Sequence, residues 1–148
     1  MITVAPARPD DTAIVQLMDE LSETLFAITG SSGRTSFDAS EMALPGACVL
    51  LATVDEKPVG CGVFRPLKPG IAEIKRMYAR PGTNGVGEAV LAALEQAARQ
   101  AGYREAWLET RAINTRAVRF YESHGYRRID NFGKYAGREE AVCFAKTL

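Results

Sequence analysis

The chain predicts a mixed α/β fold, a single sheet with helices on both faces, and three observations carry that expectation. Residues 47–54 form a nearly continuous apolar run, followed by two more strand-like stretches over 59–65 and 71–79, a β-β-β meander. Val86, Val90, Leu91, Leu94, Ala98 and Ala101 then give a strong helical stripe. From residue 71 onward strands and helices alternate, β-α-β-α-β, which places helices against both sides of one sheet.

Taken in order, residues 2–5 read as a short strand. Pro9-Asp10-Asp11-Thr12 is a helix start, with acidic residues suited to the positive end of the helix dipole. Ile14, Leu17, Met18, Leu21 and Leu25 repeat at three and four, predicting an amphipathic helix to about Phe26. Residues 29–40 are rich in Gly, Ser and Thr and read as a loop, with a short helical turn at 41–44. The 47–54 run is a strand buried on both faces; 55–58 is turn chemistry, so 47–54 and 59–65 form a hairpin. Residues 66–70 turn again. On the strand 71–79, Glu73, Lys75 and Met77 share one face and Ile74, Arg76 and Tyr78 the other; two mixed faces predict a strand that lines a site, with a bulge.

The helix that starts at Val86 is stopped by Gly102. Residues 105–111 are a strand with Ala106, Leu108 and Thr110 on one side and Trp107, Glu109 and Arg111 on the other. Asn114 is a good N-cap for a helix over 115–123 that ends near Gly125. Residues 126–130 and 141–147 are the last strands, joined by 131–140. No repeat, low-complexity tract or linker divides the 148 residues, and the expectation is one domain over 1–148.

The 18 Lys+Arg balance 18 Asp+Glu, so no global charge draws the protein to nucleic acid or an anionic membrane. No apolar run approaches the roughly 20 residues that span a bilayer, and the first ten residues have no signal-peptide pattern; the expected compartment is the cytoplasm. Cys48, Cys61 and Cys143 sit in apolar stretches with no C-x-x-C and read as buried small hydrophobes. His124 is the only histidine, which excludes a multi-histidine metal site, and no metal is expected.

Two segments point to chemistry. Residues 80–89, Arg-Pro-Gly-Thr-Asn-Gly-Val-Gly-Glu-Ala, join a strand to a helix, and glycines at a helix N-terminus let an anion approach exposed backbone N–H groups. A pyrophosphate suits such a place; a simple turn is the alternative. Downstream, Asn114, Ala117 and Tyr121 form N-x-x-A-x-x-x-Y. Ala117 and Tyr121 share a helix face, a small residue permitting close approach and a phenol one turn on.

With Gly85-Val86-Gly87 opening the preceding helix, this resembles the GCN5-related N-acetyltransferases, the GNAT superfamily, from about residue 71 to the C-terminus. The resemblance implies a central, mostly antiparallel twisted sheet flanked by helices, and transfer of an acetyl group from acetyl-CoA as co-substrate to a primary amine. It implies that the turn Gly82, Thr83, Asn84, Gly85, Val86, Gly87 and Glu88 holds the coenzyme pyrophosphate. It further implies that the backbone of Met77, Tyr78 and Ala79 pairs with the pantetheine arm, and that Asn114 and Ala117 adjoin the coenzyme. The family pattern Gln/Arg-x-x-Gly-x-Gly/Ala is met at Gly85 and Gly87, but its first position is Gly82, and the segment after Pro81 is about two residues shorter than usual.

Tyr121 is the residue the resemblance names as general acid toward the departing thiolate; packing under the sheet is the structural alternative. Glu73 and Glu109 lie on the two strands expected to flank the site, and either suits a general base acting through water, Glu73 slightly preferred; salt bridges with Lys75, Arg76 or Arg111 compete with that role. Asn114 suits helix capping equally well. Residues 27–45 and 132–136 are expected to wall the acceptor pocket. Arg65, Arg76, Arg111, Lys134 and Arg138 are candidates for an acceptor carboxylate, with solvated surface charge the alternative, and His124 reads as structural at a helix end. The expected partners are acetyl-CoA and a small-molecule amine, with a homodimer plausible through the C-terminal strands. The competing function is a GNAT-like acyl-CoA-binding or sensing module without turnover, motivated by Gly82 and the shortened turn. A nucleotide-binding βαβ unit is disfavoured by the lack of G-x-G-x-x-G and G-x-x-x-x-G-K-[ST].

Overall fold

The computed structural model describes residues 1–34 and 37–148; positions 35 and 36 of the loop expected over 29–40 lie outside the described residues. In chain order the elements are β1 (Ile2–Pro6), α1 (Thr12–Thr29), β2 (Cys48–Val54), β3 (Lys57–Lys68), β4 (Ile71–Ala79), α2 (Val86–Gln100), β5 (Glu105–Arg111), α3 (Thr115–Ser123), β6 (Arg127–Ile129) and β7 (Ala141–Thr147). Short 3-10 turns lie at Ala39–Ala43 and Gly133–Tyr135. One sheet has the order β1-β2-β3-β4-β5-β7-β6. Only β4 and β5 are parallel, joined through α2, so the sheet is mixed and mostly antiparallel, as expected.

Alternating side chains of the central strands feed two cores. Leu50, Phe64, Ile74, Leu108 and Phe144 pack on one face against Val90, Leu91 and Leu94 of α2, with Tyr121 of α3 in the same cluster. On the other face Val49, Cys61 and Val63 meet Ile14, Leu17 and Met18 of α1. Beyond α1, that face is closed by the segment between β6 and β7, where Phe132 and Tyr135 pack on Cys143 and Trp107. A buried polar knot ties α2 to the last strands: the Tyr126 hydroxyl donates to Glu95 at 2.8 Å, and Lys146 Nζ lies 3.1 Å from the same carboxylate.

β1 runs one residue past its expected end, β2 starts one residue later and the short turn lies at Ala39–Ala43 rather than 41–44; α1, β3 and β6 differ for local reasons. α1 continues past Phe26 to Thr29, because the stop is Gly30, left-handed at φ 77°, whose N–H donates to the Phe26 carbonyl at 2.8 Å. β3 outruns the expected 59–65 at both ends. Asp55 and Glu56 both take positive φ (50° and 66°), forming a two-residue hairpin, so Lys57 and Pro58 already pair with β2. At the other end a register shift between Pro66 and Lys68 lets the strand run through proline. β6 is shorter than the expected 126–130, since Tyr126 is committed to Glu95.

Candidate active site

The site begins as a fault in the sheet. Cys61 pairs with Tyr78 but Val63 with Lys75, so β4 carries one extra residue, and Arg76 within it sits at φ 55°. The predicted bulge is therefore present, and it corrects the predicted faces: Met77 joins Ile74 in the core under α2, while Tyr78 packs toward α1 beside the face of Lys75 and Arg76. The parallel pairing of β4 with β5 stops at Ile74 and Leu108. Beyond that point β4 stays with β3 and β5 with β7, and the strands part. The cleft between them is a cavity of about 710 Å³.

One mouth of the cavity is the strand-to-helix turn. Arg80 fixes its start: Nε and Nη2 lie 2.9 and 2.7 Å from the two Glu20 carboxylate oxygens, and Nη1 donates to the Pro58 carbonyl. The Thr83 hydroxyl donates to the Arg80 carbonyl at 2.6 Å. Gly82 and Gly85 both take positive φ (82° and 75°), which a side chain at either position would resist. Gly85 is the N-cap of α2 and no side chain caps the helix, so the first-turn amides keep their donors at the positive end of the dipole. No heavy atom stands within 4 Å of where a Cβ at Gly82 would lie.

Along the cleft, the β4 edge from Met77 to Ala79 faces away from β3 without a strand partner. Amide donors at a helix start, continued by an open strand edge, fit an elongated ligand with an anionic end, as coenzyme A has. The opposite wall is α3. Asn114 caps it, its Oδ1 accepting from the Ala117 N–H at 3.3 Å, and Ala117 leaves the wall thin. Tyr121 is 9% exposed, with its ring edge-on to Phe120 and Tyr126 at centroid distances of 5.2 and 5.6 Å. Its hydroxyl makes no hydrogen bond among the described residues, and burial pushes its pKa up, so it stays protonated. His124 Nδ1 lies 2.7 Å from the Phe120 carbonyl and Nε2 3.5 Å from Glu88, linking the end of α3 to the first turn of α2.

The other half of the cavity opens toward α1. Leu21, Leu25 and Ile28 form an apolar wall, continued by Phe37 and Tyr135. The two expected glutamates differ sharply there. Glu73 is 1% exposed and held in an ion pair: Arg65 Nη2 and Nε lie 2.8 and 3.0 Å from Oε1. The Tyr135 hydroxyl donates to its Oε2 at 3.4 Å. Arg65 also meets Glu41 at 3.3 Å, and Glu41 meets Lys75 at 3.6 Å. Glu109, across the cleft on β5, is half-buried and lines the cavity, and its carboxylate makes no hydrogen bond among the described residues. Burial raises its pKa above the ordinary value, partly opposed by the charges of Arg111 and Lys75.

The cavity thus gathers Glu73, Glu109, Tyr121, Asn114, Ala117 and the run Met77–Ala79, together with Gly82, Thr83, Gly85, Val86, Gly87 and Glu88. Asn84 does not line it, and of the five candidate cations only Arg76 and Arg111 do. Of the apolar wall, Ile28 and Phe37 fall in the expected 27–45 segment, whereas Leu21 and Leu25 lie on the core stripe of α1 and their second role depends on where β4 and β5 part. The cysteines are unreactive by environment, burial pushing the Cys61 thiol up to about 12 and that of Cys143 up to about 11. Among the described residues no three His, Cys, Asp or Glu side chains gather to hold a metal, and no helix is long and apolar enough to cross a membrane.

A mixed sheet parted between its two parallel strands, with a glycine-led helix start at one mouth of the cleft, defines the acyl-CoA N-acyltransferase class of fold. Solved structures share it over the whole chain. A Klebsiella pneumoniae protein provisionally assigned as an acyl-CoA N-acyltransferase superposes with a TM-score of 0.85 at 28% identity, covering 100% of this chain and 98% of that one. The PaiA N-acetyltransferase of Thermoplasma acidophilum, solved in complex with coenzyme A, superposes with a TM-score of 0.80 at 18% identity, covering 100% and 99%. In sequence, an IAA acetyltransferase of Azospirillum brasilense is 30% identical over 150 aligned positions, 99% of this chain and 98% of that protein. The sequence pattern of the acetyltransferase (GNAT) family matches residues 14–126, and the chain belongs to that family.

Proposed function

We propose that the protein is an N-acetyltransferase that transfers the acetyl group of acetyl-CoA to a primary amine of a small molecule by direct attack. The observation that carries this reading is the meeting, in one cleft, of an uncapped helix start, an unpaired strand edge, a half-buried carboxylate and an unpartnered phenol. Solved relatives with coenzyme A or acetyl-CoA bound support the donor.

When bound, acetyl-CoA supplies the activated acyl thioester. The amides of Gly85, Val86, Gly87 and Glu88 take the pyrophosphate, and the glycines at 82, 85 and 87 let it approach the backbone. Thr83 shapes that turn through Arg80; Asn84, outside the cavity, serves the turn alone. The Met77, Tyr78 and Ala79 backbone orients the pantetheine arm and offers N–H donors to the thioester carbonyl. Asn114 holds the start of α3 so that Ala117 and Tyr121 face the cleft. Glu109, ahead of Glu73, accepts the proton of the incoming ammonium, directly or through one water: its carboxylate is uncommitted and its raised pKa brings it nearer to neutrality. Glu73 organises Arg65 and Tyr135 behind it. The Tyr121 hydroxyl faces the departing sulfur.

Calorimetric titration with acetyl-CoA, with CoA and ATP as controls, followed by an amine panel, tests this. The expected result is micromolar binding selective for the CoA compounds, with acetyl transfer to at least one amine. Binding without transfer would instead support the acyl-CoA-sensing role that Gly82 and the short turn also allow. ATP binding with no CoA binding would overturn both.

A further inference from the structure

The cations around the acceptor half of the cleft are not equivalent. Arg65 has Glu73 at 2.8 Å and Glu41 at 3.3 Å, and Lys75 has Glu41 at 3.6 Å. The charge of Arg111 acts on Glu109 beside it. Arg76 is different. Its bulge conformation, φ 55°, turns it toward α1, where Nη2 donates to the Met18 carbonyl at 2.9 Å and to Ser22 Oγ at 2.6 Å, and Nη1 donates to the Ser32 carbonyl at 3.3 Å. Every one of these acceptors is neutral. No carboxylate lies within ion-pair distance of Arg76 among the described residues, and Asp19, which acts on it from further off, is paired with Arg34 at 2.9 Å. Its Nε is buried with no hydrogen-bond partner among the described residues. The Phe37 ring stands 5.3 Å from Cζ, so among the described residues this half-buried cation is in direct contact with an aromatic face and neutral dipoles.

A cation without a carboxylate partner in a partly desolvated wall costs stability, which an anion in the cleft would offset. The same cavity holds Glu109, whose carboxylate makes no hydrogen bond among the described residues, and the apolar surfaces of Leu21, Leu25, Ile28 and Phe37. An acceptor with an ammonium, a carboxylate and an apolar body answers all three. We propose that the acceptor is an amine that also bears a carboxylate, of the apolar amino-acid type, with Arg76 as the specificity-determining residue that receives the carboxylate. This rests on the acetyltransferase reading and narrows it: Glu109 receives the nitrogen that reacts, and Arg76 sets which nitrogen arrives. A planar guanidinium suits a carboxylate better than any neutral substituent of the same size.

The test uses the intact protein and three matched acceptors, phenylalanine, phenylalaninamide and phenethylamine. Phenylalanine is expected to be acetylated with a kcat/KM at least about tenfold above either neutral analogue. It should also, in the presence of saturating CoA, raise the melting temperature where the analogues do not. In Arg76→Gln the ratio between phenylalanine and its amide should collapse toward one, while acetyl-CoA titrates with the wild-type affinity. Equal or better turnover of the neutral amines by the wild-type protein overturns the carboxylate proposal and leaves the acetyltransferase reading standing. A discrimination that survives Arg76→Gln removes Arg76 as its source. Failure to acetylate any amine, with no shift by phenylalanine, removes both.

Discussion

Glu109→Gln is expected to lower kcat/KM by about 10²- to 10³-fold, the range of a lost general base, without destabilising the protein at neutral pH. The second half of that expectation follows from the sign of the pKa shift. Burial raises the folded-state pKa of Glu109 above its ordinary value of 4.5. Between the ordinary and the raised value the folded protein keeps a proton that the unfolded chain has lost. The contribution of this group to stability is therefore fullest below the ordinary pKa and falls as pH rises through the raised one. Gln cannot ionise, so the variant's stability relative to wild type should grow with pH across that window and then level off. Denaturant midpoints at several pH values read this directly. The wild-type rate should show an acidic limb above the ordinary glutamate range, and that limb should vanish in the variant. Undiminished turnover in Glu109→Gln would remove it as the base.

Glu73→Gln provides the contrast. Glu73 is the partner of Arg65 and Tyr135 in the floor of the cleft, so removing its charge leaves Arg65 dependent on Glu41. A loss of about 3 kcal/mol in folding stability is expected, as for a broken buried pair. A base and a buried ion-pair partner are thus separable: one variant stays folded and slow, the other loses stability first. Full stability in Glu73→Gln would show that the pair contributes little.

The residues behind this contrast show what the sequence could and could not reveal. The element order, the α2 and α3 boundaries and the bulge in β4 follow from periodicity, glycine placement and the mixed faces of residues 71–79, all of them local signals. So does the placing of Tyr121, since Asn114, Ala117 and Tyr121 lie on one short helix. The inequality of Glu73 and Glu109 was not local. Arg65 reaches Glu73 through the β3–β4 hairpin, and Tyr135 reaches it from a segment 62 residues away. Glu109 is left uncommitted because β4 and β5 stop pairing one residue before it. Sequence separation hides both facts, and the partners of Glu73 are the reason Glu109 is proposed ahead of it as the base, where the sequence slightly prefers Glu73. The bulge likewise hid the face of Met77 and Tyr78, because one inserted residue inverts every alternation after it.

Tyr121→Phe is expected to lower kcat by about 10- to 100-fold while leaving acetyl-CoA binding and the melting temperature close to wild type. The ring packs against Phe120, Tyr126 and Phe144, and Phe preserves that packing. The hydroxyl makes no hydrogen bond within the described residues, so no protein group is orphaned by its removal. The catalytic effect has a definite form. A thiol of ordinary acidity, pKa about 8.5, is a stronger acid than a phenol whose pKa burial has raised. Complete proton transfer to a free thiolate would therefore be uphill. The contribution expected of Tyr121 is therefore a hydrogen bond to the charge that develops on sulfur in a partly dry cleft. The same raised pKa predicts that the rate shows no alkaline limb from Tyr121 near the ordinary tyrosine value of 10.0. A tyrosine that merely packs would leave kcat unchanged on conversion to Phe, and that outcome would remove it from the chemistry; a selective fall in kcat at constant acetyl-CoA affinity would place its hydroxyl at the transition state.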